Sequence, residues 1–206
     1  MTVFRIVSGL GFLAIAGFIA FDLHRTLGGW AEVGGFLRTE WRNVRTFTKS
    51  PLRTIDRALY LITITLFAIL AVTGFSSTLL FGEHLTGALL IIHVTVAPLF
   101  AVSLSGLAVL WANRMRIDIL PSEGTQPGGW FRVKAIFWSV LVLALPLMLS
   151  IILGLFPLFG TDGEEILISV HGYSALLLCC LVLLQIFVVL TDPELTTERL
   201  KKEEKQ

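Results

Sequence analysis

Charge is what this chain has least of. Only 15% of its 206 residues are Asp, Glu, Lys or Arg, 55% are hydrophobic, and the mean hydropathy is +0.82. That scarcity excludes a soluble catalytic domain, because no stretch is both long and polar enough to build one. Cysteine is nearly absent as well. The two present, Cys179 and Cys180, are adjacent, so they cannot close an ordinary disulfide with each other and read as small apolar core residues. There is no Gly-rich phosphate loop, internal repeat or low-complexity tract. A net charge of +1 leaves no electrostatic footprint for nucleic acid.

What fills the chain instead is uncharged sequence, in runs over 6–21, 58–82, 85–113, 135–161 and 166–191. A bilayer core needs about 20 apolar residues of helix. Four runs clear that length, and the first, with 16 residues, falls short of it. The expected fold is an all-α integral membrane protein with five transmembrane helices, the first one short. Its parts are an N-terminal helix over 1–22, a polar segment over 23–53, a four-helix bundle over 54–192 and a tail over 193–206. A secretory signal is the alternative for the first run. No basic leader precedes it and no small-x-small site precedes "FDLHRTLGG", so a retained helix is expected.

Basic residues mark the cytoplasmic side of a membrane protein. Segment 22–57 holds Arg25, Arg38, Arg42, Arg45, Lys49, Arg53 and Arg57. The loop 114–134 holds Arg114, Arg116, Arg132 and Lys134, and the tail holds Arg199, Lys201, Lys202 and Lys205. The two remaining connections carry Glu83, and Asp162, Glu164 and Glu165, with no basic residue. Only Arg5 counts the other way. The expectation is a prokaryotic inner membrane protein with its N-terminus in the periplasm and its C-terminus in the cytoplasm. Segment 23–53 carries Trp30, Phe36, Trp41 and Phe47 among its arginines. It suits an amphipathic helix in the inner interface or a docking loop for a cytoplasmic partner, and composition does not separate the two.

Of four histidines, His24 and His84 fall at helix ends, where water and headgroups satisfy them. His93, in "ALLIIHVTVAPLF", and His171 lie inside apolar runs. They are 78 residues apart in sequence. At ~1.5 Å per helical residue, each is roughly 8–12 Å below the same outer face. An ionisable side chain at that depth marks a functional site by default. A lone histidine is explained by a bond to a neighbouring backbone, whereas two at matching depth on different helices can clamp the iron of a haem from both sides. Zinc wants four ligands, and no further His, Cys, Asp or Glu lies at this level. Small residues leave room for a ring: Ala97 and Ala175 one turn beyond each histidine, Gly74 on the second helix and Gly154 on the fourth. Pro98 and Pro146 interrupt the third and fourth helices.

Three stretches then resemble a known family. "SPLRTIDRALYLITITLFAILAVTGF", "LIIHVTVAPLFAVSLSGLAVLW" and "EEILISVHGYSALLLCCLVLLQIFVVL" are similar to helices of the membrane-bound b-type cytochrome subunits of hydrogenases and formate dehydrogenases. The similarity covers roughly residues 50–192 and rests on short patterns. It implies a haem-binding four-helix bundle with the N-terminal helix as an addition. That family holds two haems. Its outer ligands correspond to His93 and His171. The positions of its inner ligands correspond to Tyr60 and, 14 residues after His171, Gln185, neither of which is an ordinary haem b ligand. The resemblance therefore implies one haem b where the family has two. Tyr60 and Gln185 then either fill the vacated space by bonding each other or line a quinone pocket.

Three functions compete at this stage. The first is a cytochrome b subunit passing electrons through one bis-histidine haem near the outer face. It would work within a larger respiratory or photosynthetic complex, beside other membrane redox subunits and a periplasmic electron carrier, with quinone as a candidate exchange partner. The second is a haem-free anchoring subunit of a membrane complex. The third is a small transporter with the histidines in a proton path, which no acidic residue inside the helices supports. No catalytic constellation is visible.

Overall fold

The computed structural model describes residues 2–27, 51–82, 85–113, 115–116, 129–156 and 158–191. The expectations for segment 28–50, Glu83, His84, the loop 117–128 and the tail lie outside the described residues. Within them all regular structure is helical. Helix α1 spans Thr2–Leu27 and α2 spans Pro51–Ser76, continued by a π-helical turn at Ser77–Phe81. Helices α3, α4 and α5 span Gly87–Trp111, Gly129–Gly154 and Gly160–Thr191.

All five contain a stretch long and apolar enough to cross a membrane: Thr2–Asp22, Ala58–Phe81, Gly87–Trp111, Phe131–Gly154 and Gly160–Val188. The placement of apolar side chains agrees. Phe21, Val102, Val109 and Leu155 are between 67% and 78% exposed. Faces of that kind associate in water but are at home in hydrocarbon, where helices also satisfy their own backbone groups. The chain is an all-α, multi-pass membrane protein.

Two boundaries differ from the sequence expectation. Helix α1 is not short: it runs 26 residues, about 39 Å at ~1.5 Å per residue, against a core of ~30 Å. Asp22 ends the uncharged run but not the helix, and His24 and Arg25 in the last turn suit its negative dipole end. Asp162, Glu164 and Glu165 do not form a loop but lie on α5. Carboxylates at a helix N-terminus face its positive dipole end, so α5 begins before the charge stops.

The chain divides into two compact units, Met1–Ala112 and Asn113–Gln206. In the first, α2 and α3 form an antiparallel hairpin. Gly106 lies against Leu59, and Phe67 meets Phe100 with ring centroids 5.8 Å apart. Gly74 lies against His93. Positions 67 and 74 on α2 thus face 100 and 93 on α3, seven residues apart on each helix. Helix α1 joins at the far end of α2. Phe4 and Phe12 flank Phe75 at centroid distances of 6.4 and 5.0 Å. Arg5 Nη2 donates to the Leu79 carbonyl at 3.2 Å.

This contact depends on Gly82, which ends the π turn at φ 70°. A Cβ there would sit 2.5 Å from Arg5 Nη1. The guanidinium thus docks on the last carbonyls of the α2 rod, which lack helical partners and carry its negative dipole end. Arg5 has a local task, apart from any role in the loop-charge balance.

In the second unit α4 packs on α5. Val133, Phe137, Val140 and Ala144 are buried along α4 at alternating steps of four and three, and Leu178 and Val182 are buried on α5. Trp138 Nε1–H donates to the Met115 carbonyl at 2.7 Å, tying the stretch before α4 to the helix.

Candidate functional site

Each unit contains one histidine inside an apolar helix, and in each the imidazole is bonded through Nδ1 to the neighbouring helix. His93 of α3 is half-buried, with Nδ1 2.9 Å from Thr73 Oγ1 on α2. The proton positions follow from the network. Thr73 Oγ1 also lies 2.8 Å from the Ile69 carbonyl and 3.1 Å from that of Leu70. With the single hydroxyl proton directed at either carbonyl, the oxygen accepts from His93 Nδ1–H. The ring lone pair is then on Nε2.

His171 of α5 is held through the same ring nitrogen by a different partner. Its Nδ1–H donates to the Leu147 carbonyl of α4 at 3.0 Å. The same carbonyl accepts from Ser150 Oγ at 2.9 Å. Here too the lone pair is on Nε2. A metal-bound histidine is ordinarily oriented in this manner, its second nitrogen donating to a carbonyl or another oxygen of the protein. The donor chemistry of both residues therefore fits an axial ligand of haem.

His93 is six residues into α3 and His171 eleven into α5, counted from Gly87 and Gly160. The acidic first turns of α5 account for the difference, since its uncharged part begins at Ile166.

Of the small residues expected to leave room, Gly74 is brought to His93: a Cβ there would lie 3.4 Å from His93 Cε1. Ala97 and Ala175 are half-buried one turn beyond their histidines. Gly154 is the exposed last residue of α4, with no atom within 4 Å of an added Cβ. Tyr60 stacks on Trp111 of α3, with centroids 5.5 Å apart and rings 9° from parallel. Gln185 is half-buried on α5. Among the described residues, no three or more of His, Cys, Asp and Glu gather into a group able to hold a metal ion.

Sequence reasoning missed Thr73, the Leu147 carbonyl and Trp111. A hairpin register drawn from the seven-residue spacing would have placed Thr73 beside His93; it places Leu107, one turn before Trp111, opposite Tyr60. No side-chain signal announces Leu147, because its contribution comes from the backbone.

The fold and these sites define a multi-pass membrane protein with, among the described residues, five helices and two imidazoles bonded inside them. No family model, curated protein or solved structure matches the chain.

Proposed function

We propose that this chain is a cytochrome b subunit of a prokaryotic inner-membrane redox complex, holding one haem b with His93 and His171 as axial ligands. The observation that carries the reading is that each of the two imidazoles is bonded through Nδ1 to its neighbouring helix. A haem with two histidine ligands has no open coordination position, so it supplies one-electron transfer rather than oxygen binding. The protein's part is to orient and insulate. Thr73 and the Leu147 carbonyl hold the rings and raise the basicity of Nε2, Gly74 keeps space beside His93, and the apolar helices exclude water. In this reading the N-terminus is periplasmic. One haem near one face cannot by itself cross a ~30 Å core, so further redox subunits, a periplasmic carrier or quinone complete the path.

The same hydrogen bonds favour one other reading. Each also pins two helices together, as a haem-free anchoring subunit would require. A reduced-minus-oxidised spectrum of the purified protein, with haem stoichiometry, separates the two. About one b-type haem per chain, lost in both His93→Ala and His171→Ala, supports the cytochrome. A wild-type protein that folds and reconstitutes without haem supports the anchor.

A further inference from the structure

The connection between α4 and α5 departs from the ordinary chemistry of loops, which run over the surface and are polar. Residues 151–160, "IILGLFPLFG", contain no side chain able to form a hydrogen bond. The corresponding connection between α2 and α3, "GEHLT" over 82–86, carries Glu83, His84 and Thr86. Leu155, Phe156, Leu158 and Phe159 are nevertheless between 48% and 76% exposed. Phe159 packs against Gly163 in the first turn of α5, which leaves no room for a Cβ there.

The backbone supplies a second, independent observation. Leu155 N–H donates to the Ile151 carbonyl at 3.1 Å, and Phe156 N–H to that of Leu153 at 3.1 Å. Leu158 N–H donates to the Phe156 carbonyl at 2.7 Å. Position 157 is proline and has no N–H. A connection in water has no need to close its donors in this way, because water accepts from them. One at the edge of hydrocarbon does. The exposed apolar surface also runs on from Ile151, Ile152 and Leu153 of α4 to Leu155 and Phe156.

We infer that this connection is a lipid anchor. Leu155, Phe156, Leu158 and Phe159 lie in the membrane interface at their end of the hairpin, about 5–10 Å into the boundary between headgroups and acyl chains. Asp162, Glu164 and Glu165 do not oppose this placement. They follow on the first turns of α5, and side chains on a helix tilt toward its N-terminus, so their carboxylates reach back toward the headgroups. The anchor fixes the level at which α5 enters the bilayer. It uses neither His93 nor His171 and is independent of the proposed haem.

The test is electron paramagnetic resonance of the full chain in vesicles of phosphatidylethanolamine and phosphatidylglycerol. In a Cys179→Ala, Cys180→Ala background, a nitroxide is attached in turn through Leu155→Cys, Leu158→Cys and, for comparison, Arg116→Cys, an exposed cationic position. Relaxation by oxygen, which concentrates in lipid, is set against relaxation by a water-soluble nickel chelate. Labels at 155 and 158 should respond to oxygen more than to nickel, and the label at 116 the reverse. Each variant is first shown to keep its helical circular dichroism. A nickel response above the oxygen response at 155 and 158 puts the connection in water and overturns the inference. A weak response to both agents puts it under a protein partner or a second copy of the chain and overturns it equally.

Discussion

The two hairpins hold their histidines by the same nitrogen and different means. In α2–α3 the acceptor is a threonine hydroxyl, itself tied back to its own helix. In α4–α5 it is a main-chain carbonyl, one residue past Pro146 and shared with Ser150. A side-chain acceptor can be deleted by one substitution; a backbone acceptor survives any residue placed at 147. One imidazole is thus held by a replaceable group and the other by the fold. The packing differs likewise. Thr63, Thr73, Ser77 and Ser103 are buried in the first unit, whereas Val133, Phe137, Val140, Leu178 and Val182 dominate the second. Hydroxyls that bond their own helix, as Thr63 does to the Leu59 carbonyl at 2.8 Å, carry no polar penalty in hydrocarbon.

The comparison is broken most severely by filling the space beside His93. Gly74→Leu would drive four carbons into a contact that already stands at 3.4 Å from a single Cβ. Overpacking of this kind costs about 1–3 kcal/mol. Thermal unfolding in micelles should show the loss, and under the proposed cytochrome function the haem signal should disappear with it. Next comes the acceptor itself. Thr73→Val keeps the shape and removes the oxygen, leaving His93 Nδ1–H unpaired at a cost of roughly 1–3 kcal/mol. Thr73→Ser should restore most of it, and Leu147→Met should stay within about 1.5 kcal/mol of wild type. Nitrogen NMR of the imidazoles distinguishes the cases: Thr73→Val shifts the His93 Nδ1 resonance, while Leu147→Met leaves that of His171 unmoved. A shifted His171 resonance in Leu147→Met would sink the claim that the two partners differ in kind. The smallest effect belongs to Arg5→Gln, about 0.3–1 kcal/mol for a cation at a helix C-terminus, and it should shrink as salt is added.

The five spans were legible because uncharged length is a one-dimensional property and the bilayer sets a threshold for it. Their ends were not. Counting charges stopped the first span at residue 21, although α1 continues through Asp22 to Leu27. It also moved Asp162 into a loop, although that residue lies in the first turn of α5. A charge marks where hydrocarbon ends, and a helix does not have to end there. His93 and His171 stood out because polar atoms are rare in such runs. Thr73 did not stand out, since its role depends on which helix lies opposite. The π turn had no signal at all: "STLLF" is ordinary apolar helix by composition.

That turn bears on insertions and deletions. A π-helical turn is an α-helix that has taken in a residue more than its regular winding needs. Removing one codon anywhere in Ser77–Phe81 would let the end of α2 wind as plain α-helix. Everything before it, Thr73 and Gly74 included, would keep its facing toward α3. Everything after it would keep its facing too, because the residue removed is the one the π turn had absorbed, and Gly82 would stay beside the Arg5 guanidinium. A single in-frame deletion inside Ser77–Phe81 is therefore expected to spare both the His93 contact and the Arg5 dock, whereas one between Gly74 and Ser77 would turn one away from the other by about 100°.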